Sequence, residues 1–387
     1  MKKKPAVPAE QNDAAREAPR KRRFVPGRVF NYPQKPRMGL VAGAVVVLGI
    51  ALLVPAALIV ISAVFQRGDP LTILAAFFVR PWTGAWFLGN TLDSIALLLV
   101  ASLGAAVAFG GGCFNLGGEG QIYLGGVAAS ALLVTLPSGA GAGAALLLAA
   151  VSAAAAGGVI GAIPALMRKN LGANELISTF LFSAALMPVG DWLIAGPLRN
   201  PRGNLLATEA FWAKLPGLLP PSSLSVSFPL ALIVVVFFHI LRNRTAIGYR
   251  FFICGTAEDL ARFGGLRAER RIVPALGLSG MFAGLTGFFA VAGTYDMGYQ
   301  GFSGGLGWNA VAVALIAGTE PLALIPTAFF FGALKAGSDA ALFTAGFNLE
   351  TASFIQAAAM ILAALPFGSR YLKGRLHFSP PSEGAPS

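Results

Sequence analysis

Residues 89–110, GNTLDSIALLLVASLGAAVAFG, form an apolar run of membrane-crossing length and lead directly into 111–121, GGCFNLGGEGQ. A spanning helix needs ~20 predominantly apolar residues. Gly110, Gly111, Gly112, Gly117, Gly118 and Gly120 then break the helical pattern. Long apolar runs punctuated by glycine recur through all 387 residues, of which 56% are hydrophobic and only 12% charged. The mean hydropathy is +0.70. A soluble domain is about 25% charged, so that class is excluded. The 48 glycines and 25 prolines show no collagen-like period. The pattern predicts an all-α, polytopic membrane protein with spans near 38–65, 89–110, 119–136, 141–166, 173–196, 225–241, 271–293, 307–319, 321–343 and 351–367. With two cysteines and two histidines the chain has no disulfide framework or zinc cluster in prospect, and no cofactor is expected.

The net charge of +12 is unevenly distributed. Residues 1–37 hold eleven Lys/Arg against three acids, a basic tail read as cytoplasmic and topogenic. An apolar run follows that tail at Met38, which argues for contact with anionic lipid over nucleic acid. Residues 38–368 are read as the transmembrane domain and 369–387 as a second cytoplasmic tail. With both termini inside, Arg168 and Lys169, the 242–271 cluster, and Arg370, Lys373 and Arg375 all fall in inner loops, as the positive-inside rule requires. Arg67 and Arg80 fall in an outer loop. The 197–224 segment, with Pro216, Pro220 and Pro221, reads as an extended outer excursion. The chain is thus read as multi-pass with both termini on the cytoplasmic side.

Two halves share an order of signals. In the first, a helix meets the glycine break at 110–120, a short apolar segment, a turn, a longer helix, and Asn174-Glu175 opening the next span. In the second, a helix meets Gly298, Gly301, Gly304, Gly305 and Gly307, a short apolar segment, a Pro321 turn, a longer helix, and Asn348-Leu349-Glu350. Corresponding spans lie five apart, which predicts inverted repeats. Matched breaks point to a central binding path, because unwound backbone at membrane depth needs protein or water to satisfy it. Gly157, Gly158 and Gly161 are read instead as close helix packing.

Four stretches carry a resemblance. Phe114-Asn115-Leu116-Gly117-Gly118-Glu119-Gly120-Gln121 resembles the Asn-aliphatic-Gly-any-Glu-Gly-Gln signature of permease subunits of bacterial ABC importers, in the superfamily serving branched-chain amino acids, ribose-type sugars and nucleosides. Gly172 to Thr179, Thr245 to Leu266 and Gly305 to Leu315 agree with it. The chain is most similar to the nucleoside, basic-membrane-lipoprotein branch. Ser183 stands where that family usually has Asn, and Phe252 and Leu260 replace an Arg and an Ala. The resemblance implies a cytoplasmic ABC ATPase, a solute-binding lipoprotein and a second permease, identical or homologous, as partners.

The chain holds no G-x-x-x-x-G-K-[ST] phosphate loop, so ATP hydrolysis is to be supplied in trans by a separate subunit, if at all. The 242–271 loop is the expected docking place. There Gly255 punctuates the chain, and Glu258 to Phe263 can form a helical turn with Asp259 and Arg262 at i,i+3; the alternative is a solvated loop that only fixes topology. Asn115, Glu119, Gln121, Trp308 and Asn309 are the expected path residues. Glu119 and Gln121 can hydrogen-bond freed backbone amides or a polar solute, and for Glu119 an architectural role is favoured, satisfied locally beside a half-helix N-terminus. Tyr295, Tyr299, Phe302 and Trp308 cluster in sequence with Gln300 and Asn309, which suits a planar heterocycle, although the tyrosines fit an interfacial belt equally well. Glu175 and Glu350 read as helix caps, and Lys335 with Asp339 as an i,i+4 pair. A nucleoside is the first choice of solute, with riboflavin or a simple sugar the alternative. A proton-coupled carrier and a non-transporting scaffold are the competing classes; the acids form no chain along one helix, which weighs against the carrier.

Overall fold

The computed structural model describes residues 69–345 except Thr319, together with 56, 57, 59–61 and 357. The tails at 1–37 and 369–387, the Asn348-Glu350 signal and most of the spans at 38–65 and 351–367 lie outside the described residues. Regular structure within them is helical, with two isolated β-bridges. The helices are α1 Pro70–Phe78, α2 Ala85–Gly110, α3 Gly118–Thr135, α4 Ala142–Leu171, α5 Glu175–Ala195, α6 Ser227–Arg244, α7 Ala246–Thr256, α8 Glu258–Phe263, α9 Ile272–Phe289, α10 Leu306–Ile316 and α11 Pro321–Ala345. A π-helical turn, Ala290–Thr294, continues α9.

Six of these segments are long and apolar enough to cross a membrane: Ala85–Gly110, Ala142–Leu171, Glu175–Ala195, Ser227–Arg244, Ala268–Thr294 and Pro321–Phe343. Two expected spans take a different form. The 307–319 run folds as the 11-residue α10, about 16 Å long and half of a ~30 Å hydrocarbon core. The 119–136 run folds as α3, which opens with Glu119 and Gln121 and is not among the six. The expected outer loop at 66–88 contains α1. Asp69 caps this helix by accepting from the amides of Leu71 (3.2 Å) and Thr72 (3.1 Å), with Pro70 at the first position, where its missing N–H costs nothing.

The most buried helix is α2, enclosed by α6, α9, α10 and α11. The closest helix pair is α4 with α9. A Cβ added at Gly280 would sit 2.8 Å from the Gly157 carbonyl carbon and 3.3 Å from Gly158 Cα, so the two backbones touch there. In a membrane, where no hydrophobic force drives helices together, this approach maximises dispersion contact. The packing reading of Gly157, Gly158 and Gly161 agrees with this geometry. At the start of α5, Asn174 and not Glu175 is the cap, accepting from Leu176 N at 3.0 Å. Glu175 is instead paired with Arg168 at 2.8 Å. Lys335 and Asp339 pair at 3.1 Å, as their spacing predicts.

Each half contains an irregular stretch where the glycines predict one: 111–117 after α2 and 295–305 after the π turn. Gly112 (φ +67°) and Gly305 (φ +84°) sit in the left-handed region, where any Cβ is strained. The 111–117 stretch starts at the basic end of the bundle, beside α7. The 295–305 stretch starts at the opposite end, fastened to the 197–224 excursion. There Thr208 N donates to Gly298 O (2.8 Å), Phe211 N to Asp296 O (2.9 Å) and Gln300 N to Leu206 O (3.0 Å), and Lys214 pairs with Asp296 at 2.7 Å. The excursion is therefore a partner strap for the second break.

Candidate functional site

The first break is held by side chains from three helices. Buried Asn115 donates to Gln121 Oε1 (2.7 Å) and to Ser279 Oγ on α9 (2.9 Å), while its Oδ1 accepts from Gly117 N (2.9 Å) and Gln121 Nε2 (3.2 Å). From α5, Thr179 Oγ1 accepts from Leu116 N (3.1 Å), and Ser183 Oγ donates to Gly117 O (2.8 Å). Freed backbone at membrane depth is thus satisfied by protein groups, as it must be. The hydroxyl of Ser183, at the departure from the family pattern, acts as a backbone anchor. Asn115 and Gln121 are committed to each other and to backbone.

Glu119, at the start of α3, serves the second break. Its Oε1 accepts from Gly305 N (2.9 Å) and its Oε2 from Gly307 N (2.7 Å). The N-termini of α3 and α10 therefore meet, with Gly307 packed on the Gly118–Glu119 backbone. A carboxylate placed where two positive helix ends converge is favoured by both dipoles. Asn115, Gly118, Ser279, Gly307 and Val311 line a recess of only about 10 Å³ beside this junction, room for about one water. That recess is too small to hold a solute.

The expected aromatic group divides into two. Phe302 is buried against Tyr123 (ring centroids 5.2 Å apart) and Tyr299 (6.2 Å), and Tyr295 meets Tyr299 edge-on at 4.9 Å. These rings form a knot that packs the second break. Trp308 lies apart from it, 44% exposed and tilted against Phe180 of α5 at 5.9 Å. Asn309 follows on α10, half-buried. Trp308, Phe180, Ile177 and Leu181 leave an exposed apolar face on α5 and α10. A larger cavity of about 290 Å³ lies at the basic end between α2, α6, α7 and α9. It is lined by apolar side chains and Arg242, so it lacks the set of polar groups that orients a heterocycle.

At the basic end, Glu258–Phe263 does form the short helix α8. Its ion pairs differ from the spacing-based expectation. Arg262 pairs with Glu258 (2.7 Å) and Glu269 (3.5 Å), whereas Asp259 is exposed. Glu258 also receives Arg271 at 2.9 Å. The Arg271 guanidinium beside it, with Arg262 adding to the effect, holds the Glu258 carboxyl below the usual carboxylate range. Gly255 is an internal contact point: an added Cβ would lie 2.6 Å from Gly111 C and 2.7 Å from Gly112 N. Its role is to let α7 rest on the first break.

Sequence reasoning missed two polar centres. Asp93, buried in α2, accepts from Thr294 Oγ1 (2.7 Å) and Ser223 Oγ (3.1 Å), joining the excursion to the π turn. Its signal is a lone acid inside the decisive apolar run. Glu320, before α11, accepts from Asn243 Nδ2 (3.0 Å) and pairs with Arg242 (3.2 Å), whose guanidinium stacks on Phe252 at 4.1 Å. Among the described residues no group of three His, Cys, Asp or Glu is placed to hold a metal ion.

Comparison with known proteins adds a family. The family described as "Branched-chain amino acid transport system / permease component" matches residues 87–364. A probable riboflavin import permease of Treponema pallidum is 35% identical over 321 residues, 81% of this chain and 83% of its own length. A glucose ABC transporter permease of Haloferax volcanii is 28% identical, covering 81% and 86% respectively. A guanosine ABC transporter permease of Bacillus subtilis is 25% identical, covering 78% and 89%. No solved structure matches the chain at a significant level.

Proposed function

Because the chain belongs to the branched-chain amino acid transport system permease family, ABC importer components that are not themselves ATPases, we propose that it forms half of a riboflavin import path. Such permeases work with an ATPase and a binding protein. The observation that carries the path is the junction at Glu119, where two interrupted segments from opposite ends of the bundle converge. Paired interruptions of this kind support ten spans in two inverted repeats, with both termini and the 242–271 loop cytoplasmic. The recess beside the junction is too small for a solute, so the proposed route is the exposed Trp308–Phe180 face, against a second permease. Riboflavin replaces a nucleoside as first choice because the riboflavin relative is 35% identical and the guanosine relative 25%. Both solutes present a planar heterocycle for Trp308 to stack on and Asn309 to hydrogen-bond.

The test is reconstitution of the chain with its ATPase and binding lipoprotein in vesicles. ATP-dependent uptake of riboflavin is expected, with no competition from excess guanosine or glucose. Guanosine uptake without riboflavin uptake would make the solute a nucleoside, and failure of any ATPase to co-purify would remove the importer reading altogether.

Replacing Trp308 with Ala should remove a stacking face worth about 0.5 to 1.5 kcal/mol, a twofold to tenfold fall in maximal rate. Asn309→Leu should have a similar effect through lost edge hydrogen bonding. Capture by the lipoprotein should keep its affinity in both. Normal uptake by both variants would return these residues to packing.

A further inference from the structure

The same basic end carries a side chain that reaches both the α8 turn and the first break. Arg271 is buried at 8% exposure and donates from all three guanidinium nitrogens. Its Nε donates to the Gly111 carbonyl (2.8 Å), Nη1 to the Ala268 carbonyl (2.7 Å) and Nη2 to Glu258 Oε2 (2.9 Å). Gly111 opens the irregular stretch that ends at Asn115, Gly117 and the Glu119 junction. Glu258 opens the turn on the opposite side of the same guanidinium. One rigid planar group therefore spans from the exposed turn to the interrupted backbone, whose Gly111 lies 160 residues before Arg271 in sequence.

Local energetics alone do not favour an arginine there. Arg271 is the N-cap residue of α9 and makes no side-chain capping bond to it. A cation at that end opposes the helix dipole, and a buried charge must be paired to be tolerated. Its three acceptors supply the compensation, and two of them belong to the first break and to the α8 turn. The close backbone contact of Gly255 with Gly111 and Gly112 makes the same connection through α7.

We propose that Arg271 is a positioning residue that transmits ATPase engagement at the Glu258–Phe263 turn to the first break through the Gly111 carbonyl. The inference rests on the importer reading and deepens it. A lysine offers a single nitrogen on a flexible stem, so it can keep the ion pair with Glu258 but cannot hold the turn and the Gly111 carbonyl in one rigid plane. Arg271→Lys thus separates holding the turn from pulling the break.

The experiment uses the assembled complex of permease, ATPase and binding lipoprotein in vesicles. Arg271→Lys should co-purify with ATPase at the wild-type yield. Stimulation of ATP hydrolysis by the solute-loaded lipoprotein, and uptake per ATP hydrolysed, should fall by roughly tenfold, the scale of one lost charge-assisted hydrogen bond. Hydrogen exchange supplies a second reading: ATPase binding should change protection of the Leu116 and Gly117 amides in the wild type and leave it unchanged in Arg271→Lys. Wild-type stimulation and uptake in Arg271→Lys would overturn the proposal. Loss of the complex in that variant would also overturn it, because Arg271 would then be holding the docking surface itself. If the wild-type chain binds no ATPase, the importer reading fails first, and that outcome is visible before any variant is made.

Discussion

Replacing Glu119 with Ala should cost the folded protein about 3 kcal/mol or more and abolish uptake. Two amides, Gly305 N and Gly307 N, lose their acceptor, and each hydrogen bond to a charged group is worth ~1.5–3 kcal/mol. In soluble protein, water could replace a lost acceptor. Here the neighbouring recess has room for about one water, so the amides have little recourse. Total stability of a domain is only ~5–15 kcal/mol, which makes such a loss a large part of it. Glu119→Gln keeps one carbonyl oxygen and should lose about half as much. Thermal unfolding of the purified permease in detergent, followed by uptake in vesicles, gives the comparison. An Ala variant that melts and transports like the wild type would show that the junction is not held by this carboxylate.

A comparably large loss is expected from Gly280→Val. The new side chain would meet the backbone of Gly157 and Gly158, and a backbone inside a helix cannot step aside as a flexible side chain can. Overpacking costs ~1–3 kcal/mol in ordinary cores, and more is expected where two helices must separate along their length. The parted surfaces would also lose the dispersion contact that associates helices in lipid. The variant should insert, because insertion depends on hydropathy, yet be protease-sensitive and inactive. Gly143→Ala in the first turn of α4, where an added Cβ meets nothing within 4 Å, is the control and should be neutral or slightly stabilising. Wild-type protease resistance and uptake in Gly280→Val would remove the contact from the account.

Much of this architecture is legible in the sequence because hydropathy and glycine act locally. The long helices, the breaks at 111–117 and 295–305 and the turn Glu258–Phe263 follow from runs and punctuation. The short helix Pro70–Phe78 carries an equally local signal, Asp69 before Pro70, that the charge-based loop reading overrides. Partner choice is hidden, since it is decided across the fold. Spacing offers Asp259 to Arg262, but burial of Arg271 beside Glu258 draws the network to Glu258. Glu119 looks like a residue serving its own helix end, whereas its bonds go to amides 186 and 188 positions away. The aromatic residues near 295–308 are close in sequence, yet the chain's reversal through Gly301–Gly305 sends Phe302 inward and leaves Trp308 on the surface.

The acid buried in α2 also sets a schedule for biogenesis. Asp93 emerges from the ribosome 130 residues before Ser223 and 201 before Thr294. At ~5–20 residues per second, its helix spends roughly 10 to 40 s in or beside the insertion machinery before the last partner is made. Until Ser223 emerges the acid has neither hydroxyl to donate to it, and Thr294 follows 71 residues later. The helix at the heart of the finished bundle is thus one whose acid is fully satisfied only after much of the chain's second half has been made.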